Sequence, residues 1–237
     1  VAINVATTKA LAYIDEGADI KAGGLNIIVG MTEIAGEEDA EGNPTTDQIN
    51  THTVSAISGA GASNVGVAGA LAINVLSTEA LAYVAGPVVI IAGDSGKVEI
   101  SAKSASEGKV SAGAAISGSG EEAKVGFGAS VGINIISNSV KAYIADGIAL
   151  SGAISDVILG AELESQTETK AESGAGSTSA TSINGAVALN VSISSVEAYL
   201  GISSEALNAG GDVTVSARNI NQVSGEASGV AAGSKVG

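Results

Sequence analysis

The sequence predicts an all-β protein, a parallel β-helix (β-solenoid) built from four copies of one repeat. Three observations carry this. A short apolar phrase with a central Asn recurs four times, a Tyr follows each Asn at a fixed distance, and apolar and polar residues alternate with a period of two in the segments between.

The phrase runs Ala2-Ile3-Asn4-Val5, Ala72-Ile73-Asn74-Val75, Gly132-Ile133-Asn134-Ile135 and Ala188-Leu189-Asn190-Val191. Nine positions after each Asn comes a Tyr, at Tyr13, Tyr83, Tyr143 and Tyr199, which are all four tyrosines of the chain. The Asn-to-Asn spacings are 70, 60 and 56. They define repeats of about 56–70 residues, at approximately 1–64, 65–124, 125–180 and 181–237 of a single solenoid segment. The extra length of the first copy is assigned to the polar run 37–44, an insertion of roughly ten residues.

The second part of each repeat is a β-rich phrase, as in Gly96-Lys97-Val98-Glu99-Ile100-Ser101-Ala102 and Gly211-Asp212-Val213-Thr214-Val215-Ser216-Ala217. Val98, Ile100 and Ala102 alternate there with Lys97, Glu99 and Ser101, the pattern of a half-buried strand. A Ser/Ala/Gly tract closes each repeat, for example 111–120. With three rungs of about 20 residues per repeat, the chain makes about twelve rungs, a rod on the order of 55–60 Å long. Gly-x-Gly phrases such as Gly126-Phe127-Gly128 then serve as coil corners. The competing architecture is a stacked antiparallel β-hairpin sheet, in which Asn138-Ser139 turns a hairpin within Ile135–Tyr143.

Composition agrees with a thin, regular core. Apolar residues make up 45% of the 237 residues, yet Trp is absent, Phe127 is the only Phe, and aromatics reach only 2%. No large side chains are on hand to fill a globular centre. Ten basic against 25 acidic residues give a formal charge of −15, which repels phosphate backbones and excludes nucleic acid as a partner. No apolar run approaches the ~20 residues of a transmembrane helix, so the chain is expected not to span a membrane. Val1 opens the sequence without a basic region, as expected of an internal segment of a longer chain.

Candidate chemistry is sparse. The absence of Cys removes disulfides and thiolate metal sites. His52, the only histidine, reads as a surface or turn residue between Thr51 and Thr53. Paired acids occur at Asp15-Glu16, Glu37-Glu38 and Glu121-Glu122, and those at turns read as solvated charge. No catalytic role and no resident cofactor are expected. Calcium is the ionic alternative: Glu37, Glu38, Asp39, Glu41 and Asp47 supply enough oxygens in one loop, against the plainer reading of a solvated acidic loop. The Asn and Tyr of the repeat recur in every copy and are read as structural, the Asn satisfying backbone groups and the Tyr covering apolar surface with its hydroxyl in water.

The phrases Gly69-Ala70-Leu71-Ala72-Ile73-Asn74-Val75, Val140-Lys141-Ala142-Tyr143-Ile144 and Gly210-Gly211-Asp212-Val213-Thr214-Val215-Ser216-Ala217 resemble the leukotoxin-like filamentous adhesins and their filamentous-haemagglutinin relatives, exoproteins of two-partner secretion. The resemblance runs through all four repeats. It implies a right-handed parallel β-helix, secreted or on a bacterial cell surface, acting as a structural or adhesive rod. Its partners would be neighbouring repeats or copies of itself, and host or environmental surface ligands. A glycan- or calcium-binding module and a carbohydrate-active β-helix enzyme are the alternatives.

Overall fold

The computed structural model describes residues 1–31, 49–60, 65–90, 96–116, 125–176, 181–201 and 207–232. These residues form twelve strands in four coils. The first coil holds β1 (Ala2–Ile14), β2 (Ile20–Ala22), β3 (Leu25–Met31) and β4 (Asn50–Ala60). The second holds β5 (Val65–Val84), β6 (Val88–Ile90) and β7 (Val98–Ile116), and the third β8 (Val125–Ile144), β9 (Leu150–Gly152) and β10 (Val157–Gly176). The fourth holds β11 (Thr181–Leu200) and β12 (Val213–Ala232).

Three parallel sheets result. One long sheet has the order β1-β5-β8-β11, the second has β12-β10-β7-β3 with β4 also on β7, and a short corner sheet has β2-β6-β9. Every strand pairs with its equivalent one repeat away: Asn4 lies beside Asn74, Asn74 beside Asn134, and Asn134 beside Asn190. The fold is a parallel solenoid.

Two expectations change. No pair among the described strands is antiparallel, and Asn138-Ser139 lies inside the continuous strand β8, so the stacked-hairpin architecture is excluded. Each repeat also makes one coil rather than three rungs. Strands of 20 residues span about 66 Å, while four rungs stack to only about 20 Å. Gly, Ser and Asn inside the strands look like turn signals, but the strand runs through them. Gly126-Phe127-Gly128 accordingly sits within β8.

Corners carry the turn chemistry. Gly17 and Gly147, with φ of 84° and 78°, turn the chain after β1 and β8 in a conformation that side-chain-bearing residues rarely adopt. In the second coil Ala85-Gly86-Pro87 makes the same corner with three residues in place of 15–19. Met31 pairs with Ser104 and Asn50 with Ser106, so β3 and β4 are two register positions apart on β7; the expected insertion 37–44 lies outside the described residues.

Strict alternation buries one row of the inner strands β5, β7, β8 and β10, whereas the inward rows of β1 and β11 are mostly half-buried and β12 is exposed along nearly its whole length. In β5 the inward row includes Ala72, Asn74, Leu76, Thr78 and Val84, all at 2% exposure or less. Near the corner sheet, the interior is filled by Val84, Val88, Val98, Ile100, Ile144, Val157, Leu159 and Leu163. A second apolar cluster of Val and Ala lies at the other end of the long strands, around Val54, Ala68, Val110 and Ala112.

Candidate functional site

Nine is an odd number, so in a strand the Asn and Tyr of each repeat must face opposite sides. The Asn residues point inward. Asn4 Nδ2 donates to Asn74 Oδ1 at 2.8 Å, and Asn74 Nδ2 to Asn134 Oδ1 at 2.9 Å. Asn134 Nδ2 then crosses to the opposite sheet, donating to the carbonyl oxygens of Gly108 at 2.7 Å and Glu168 at 3.3 Å. Asn190 repeats the crossing, donating to Ser224 O at 2.6 Å and accepting from Thr169 Oγ1 at 2.5 Å. The ladder ties coil to coil and sheet to sheet, and Asn74 and Asn134 are fully buried. Buried amides need this degree of satisfaction, because an unmet buried polar group costs about 1–3 kcal/mol.

A second inward polar row escaped notice in the sequence. Thr78 Oγ1 donates to Asn138 Oδ1, Ser106 Oγ reaches the same oxygen at 3.3 Å, and Asn138 Nδ2 donates to Ser165 Oγ at 3.0 Å. The available signal was parity: Asn138 is four residues beyond Asn134 and so shares its face. The sheets are close here. A Cβ on Gly108 would stand 2.7 Å from Ile136 Cδ1 and 2.8 Å from Asn134 Oδ1, so a larger residue there would have to displace both buried side chains.

The Tyr residues stack outside. Ring centroids of Tyr13, Tyr83, Tyr143 and Tyr199 follow one another at 5.0, 5.2 and 4.8 Å, with interplanar angles of 3°, 7° and 8°. Burial raises the Tyr83 hydroxyl above its ordinary pKa, with Asp15 adding to the effect. Burial likewise raises Tyr143, followed by the neighbouring Tyr199, while Lys141 acts in the opposite direction.

Charges lie on outward rows and pair both across coils and within one strand. Glu162 receives Arg218 Nη1 at 2.5 Å and Lys103 Nζ at 3.5 Å from the two flanking coils. The Arg218 hydrogen bond holds the Glu162 carboxyl below the usual carboxylate range. Glu197 is lowered by the Ser195 hydroxyl and then by Lys141, 3.1 Å away. An open groove of about 380 Å³ is lined by Glu107, Gln166, Glu168 and Gln222. Its carboxylates are engaged: Glu107 by Lys109 at 2.7 Å and Thr51 at 3.1 Å, and Glu168 by Lys170 at 3.0 Å.

His52 is not at a turn. It lies on the inward row of β4, half-buried, with Gly108 as register partner and the exposed Thr51 and Thr53 on either side. Asp15-Glu16 does occupy a corner, where Asp15 Oδ1 accepts from the Glu16 amide at 2.8 Å. The calcium candidates Glu37, Glu38, Asp39, Glu41 and Asp47, and the Glu121-Glu122 pair, lie outside the described residues. Among the described residues no group of three or more His, Cys, Asp or Glu could hold a metal ion. Nor is any helix there long and apolar enough to cross a membrane.

Comparison with protein-family models, curated proteins and solved structures finds no match for this chain.

Proposed function

We propose that this chain is a structural and adhesive rod segment of a bacterial surface or secreted filamentous protein, extended along its axis by neighbouring repeats or further copies of itself. The likeness to filamentous adhesins supports the extracellular location. The observation that carries the axial extension is the match between the two edges. β1 pairs only with β5 and β11 only with β8, yet both edges present an Asn and a Tyr in the same two columns. A further coil on either edge would continue the Asn ladder and the Tyr stack, and open strand edges favour such addition. The role proposed is mechanical and involves no catalysis.

Thr7, Ser77, Ser137 and Ile193 form one column, with Thr7 and Ile193 at its two ends. End-to-end stacking brings Thr7 of one copy beside Ile193 of the next, about 4.8 Å away and within disulfide reach. The chain has no Cys. Mixed Thr7→Cys and Ile193→Cys proteins should therefore give the heterodisulfide in preference to either homodisulfide. Equal or negligible yields of all three would count against axial stacking.

A further inference from the structure

The two long sheets have opposite exteriors. The second long sheet turns Glu99, Lys103 and Glu107 of β7 outward, and Glu162, Glu164 and Glu168 of β10. The first turns out aligned apolar rows: Leu71, Val131 and Val187 in one column, and Ile73, Ile133 and Leu189 in the next. No Asp, Glu, Lys or Arg occurs in 1–8, 65–78, 125–140 or 181–196, the segments that form this face. Ile3, Val5, Val187 and Leu189 are 63%, 71%, 54% and 46% exposed.

We infer that this face is a lateral interface for a second copy of the chain, the two solenoids packing first sheet against first sheet about a two-fold axis. Area supports this occupant. The outward positions from residue 65 to 75 span roughly 33 Å, and three to four strands add roughly 14–19 Å, giving on the order of 500–600 Å². Two such faces bury on the order of 1,000–1,200 Å², which reaches the size of a specific interface. An apolar patch of this extent on an otherwise acidic chain marks a contact surface.

Shape supports it too. Gly69, Ala129 and Gly185 form a column of minimal side chains, a furrow along the axis between the Val67-Phe127-Ile183 ridge and the Leu71-Val131-Val187 ridge. A Cβ on Gly185 would meet nothing within 4 Å, and one on Gly69 only the Ala129 carbonyl oxygen at 3.9 Å. A two-fold places the ridge of one copy in the furrow of the other, as self-complementary interfaces require. Charge points the same way. Surface-lying membrane elements carry Lys and Arg beside their apolar face. Here the flanking lysines Lys9 and Lys141 are paired with Glu79 and Glu197, and the chain carries −15 overall.

Sedimentation velocity of the 237-residue protein, at concentrations on the order of tens of micromolar, provides the test. Two variants place lysines on exposed outward positions, Val187→Lys/Leu189→Lys and Ile3→Lys/Val5→Lys. Circular dichroism verifies that each folds, and a Ser101→Lys/Ser216→Lys variant on the charged face serves as control. The wild type and the control should form pairs, and either apolar-face variant should weaken pairing on the order of 100-fold or more. A single-chain wild type, or variants that pair as well as the wild type, would overturn the proposal. So would flotation of the wild type, but not the variants, with phosphatidylcholine vesicles, because the occupant would then be lipid. The Thr7–Ile193 heterodisulfide reports axial stacking independently, so loss of the lateral contact and loss of the axial one are separate results.

Discussion

The interior beside the corner sheet and the interior midway along the long strands follow the same alternation, but they satisfy burial differently. Beside the corner, three sheets meet around Val84, Ile144, Val157 and Leu159, and ordinary apolar side chains fill the space. Midway, two sheets close on each other, Gly108 leaves little room for a Cβ, Asn74 bonds to Asn134 along the first sheet, and Asn134 and Asn138 link the walls by hydrogen bonds. The first region is specified by volume, which many side chains can supply. The second is specified by donors and acceptors at fixed heights, which Asn supplies and its neighbours in chemical space do not.

This contrast can be broken at either end. Replacing Asn134 with Leu leaves the Asn74 amide and the carbonyl oxygens of Gly108 and Glu168 without their partner and adds bulk, so the loss of stability is expected to be about 4 kcal/mol by urea unfolding. Asn4→Leu, at the edge coil, should cost less, about 1–2 kcal/mol, because only the buried Asn74 Oδ1 loses its donor. In the apolar region Ile144→Ala should cost about 3 kcal/mol and Ile144→Val about 1 kcal/mol, a graded response to volume. No comparable gradation is expected at Asn134.

The outer stack gives a smaller, pH-dependent effect. Tyr83 and Tyr143 hold their protons more tightly in the folded chain than in the unfolded one. Their contribution is therefore complete below the unfolded value near pH 10 and is lost as pH rises through the folded values. Denaturant midpoints should fall on going from about pH 8 to about pH 11, and a Tyr83→Phe/Tyr143→Phe variant should show less of this fall. The smallest change is expected at Glu162→Gln, under about 1 kcal/mol and reduced further by salt, because the ion pair is solvent-exposed. Glu162 has a lowered folded pKa, so what it contributes is present above the ordinary carboxylate range and disappears as pH falls through the folded value. Paired titrations of stability at low and high salt measure it.

Much of this was legible in the sequence. The Asn and Tyr columns follow from the four matched phrases, and their opposite faces from the odd spacing between them. Coil length was not legible, because Ser77, Gly108 and Asn138 look locally like strand breakers. What keeps the strand intact at these points comes from residues a full repeat away or on the facing sheet: Ser137 beside Ser77, Asn134 against Gly108, and Ser165 against Asn138. The inward position of His52 was hidden for a related reason. β3 and β4 are 19 positions apart in sequence at Met31 and Asn50 but two apart in register on β7, so the parity of β4 is set by β7 and not by β3. The three-residue strands of the corner sheet are too short to carry a periodic signal.

One repeat per coil, in parallel register, is the central claim, and a pair of engineered disulfides tests it most directly. Ser77 and Ser137 are outward register partners in adjacent coils, at a Cα separation of about 4.8 Å that suits a disulfide. Ser139 lies two residues further along, roughly 8 Å from Ser77 and out of reach. Mild oxidation should close Ser77→Cys/Ser137→Cys within one chain and leave Ser77→Cys/Ser139→Cys open, with mass spectrometry reading both. Closure of the second pair in preference to the first, or of neither, would contradict the coil described here.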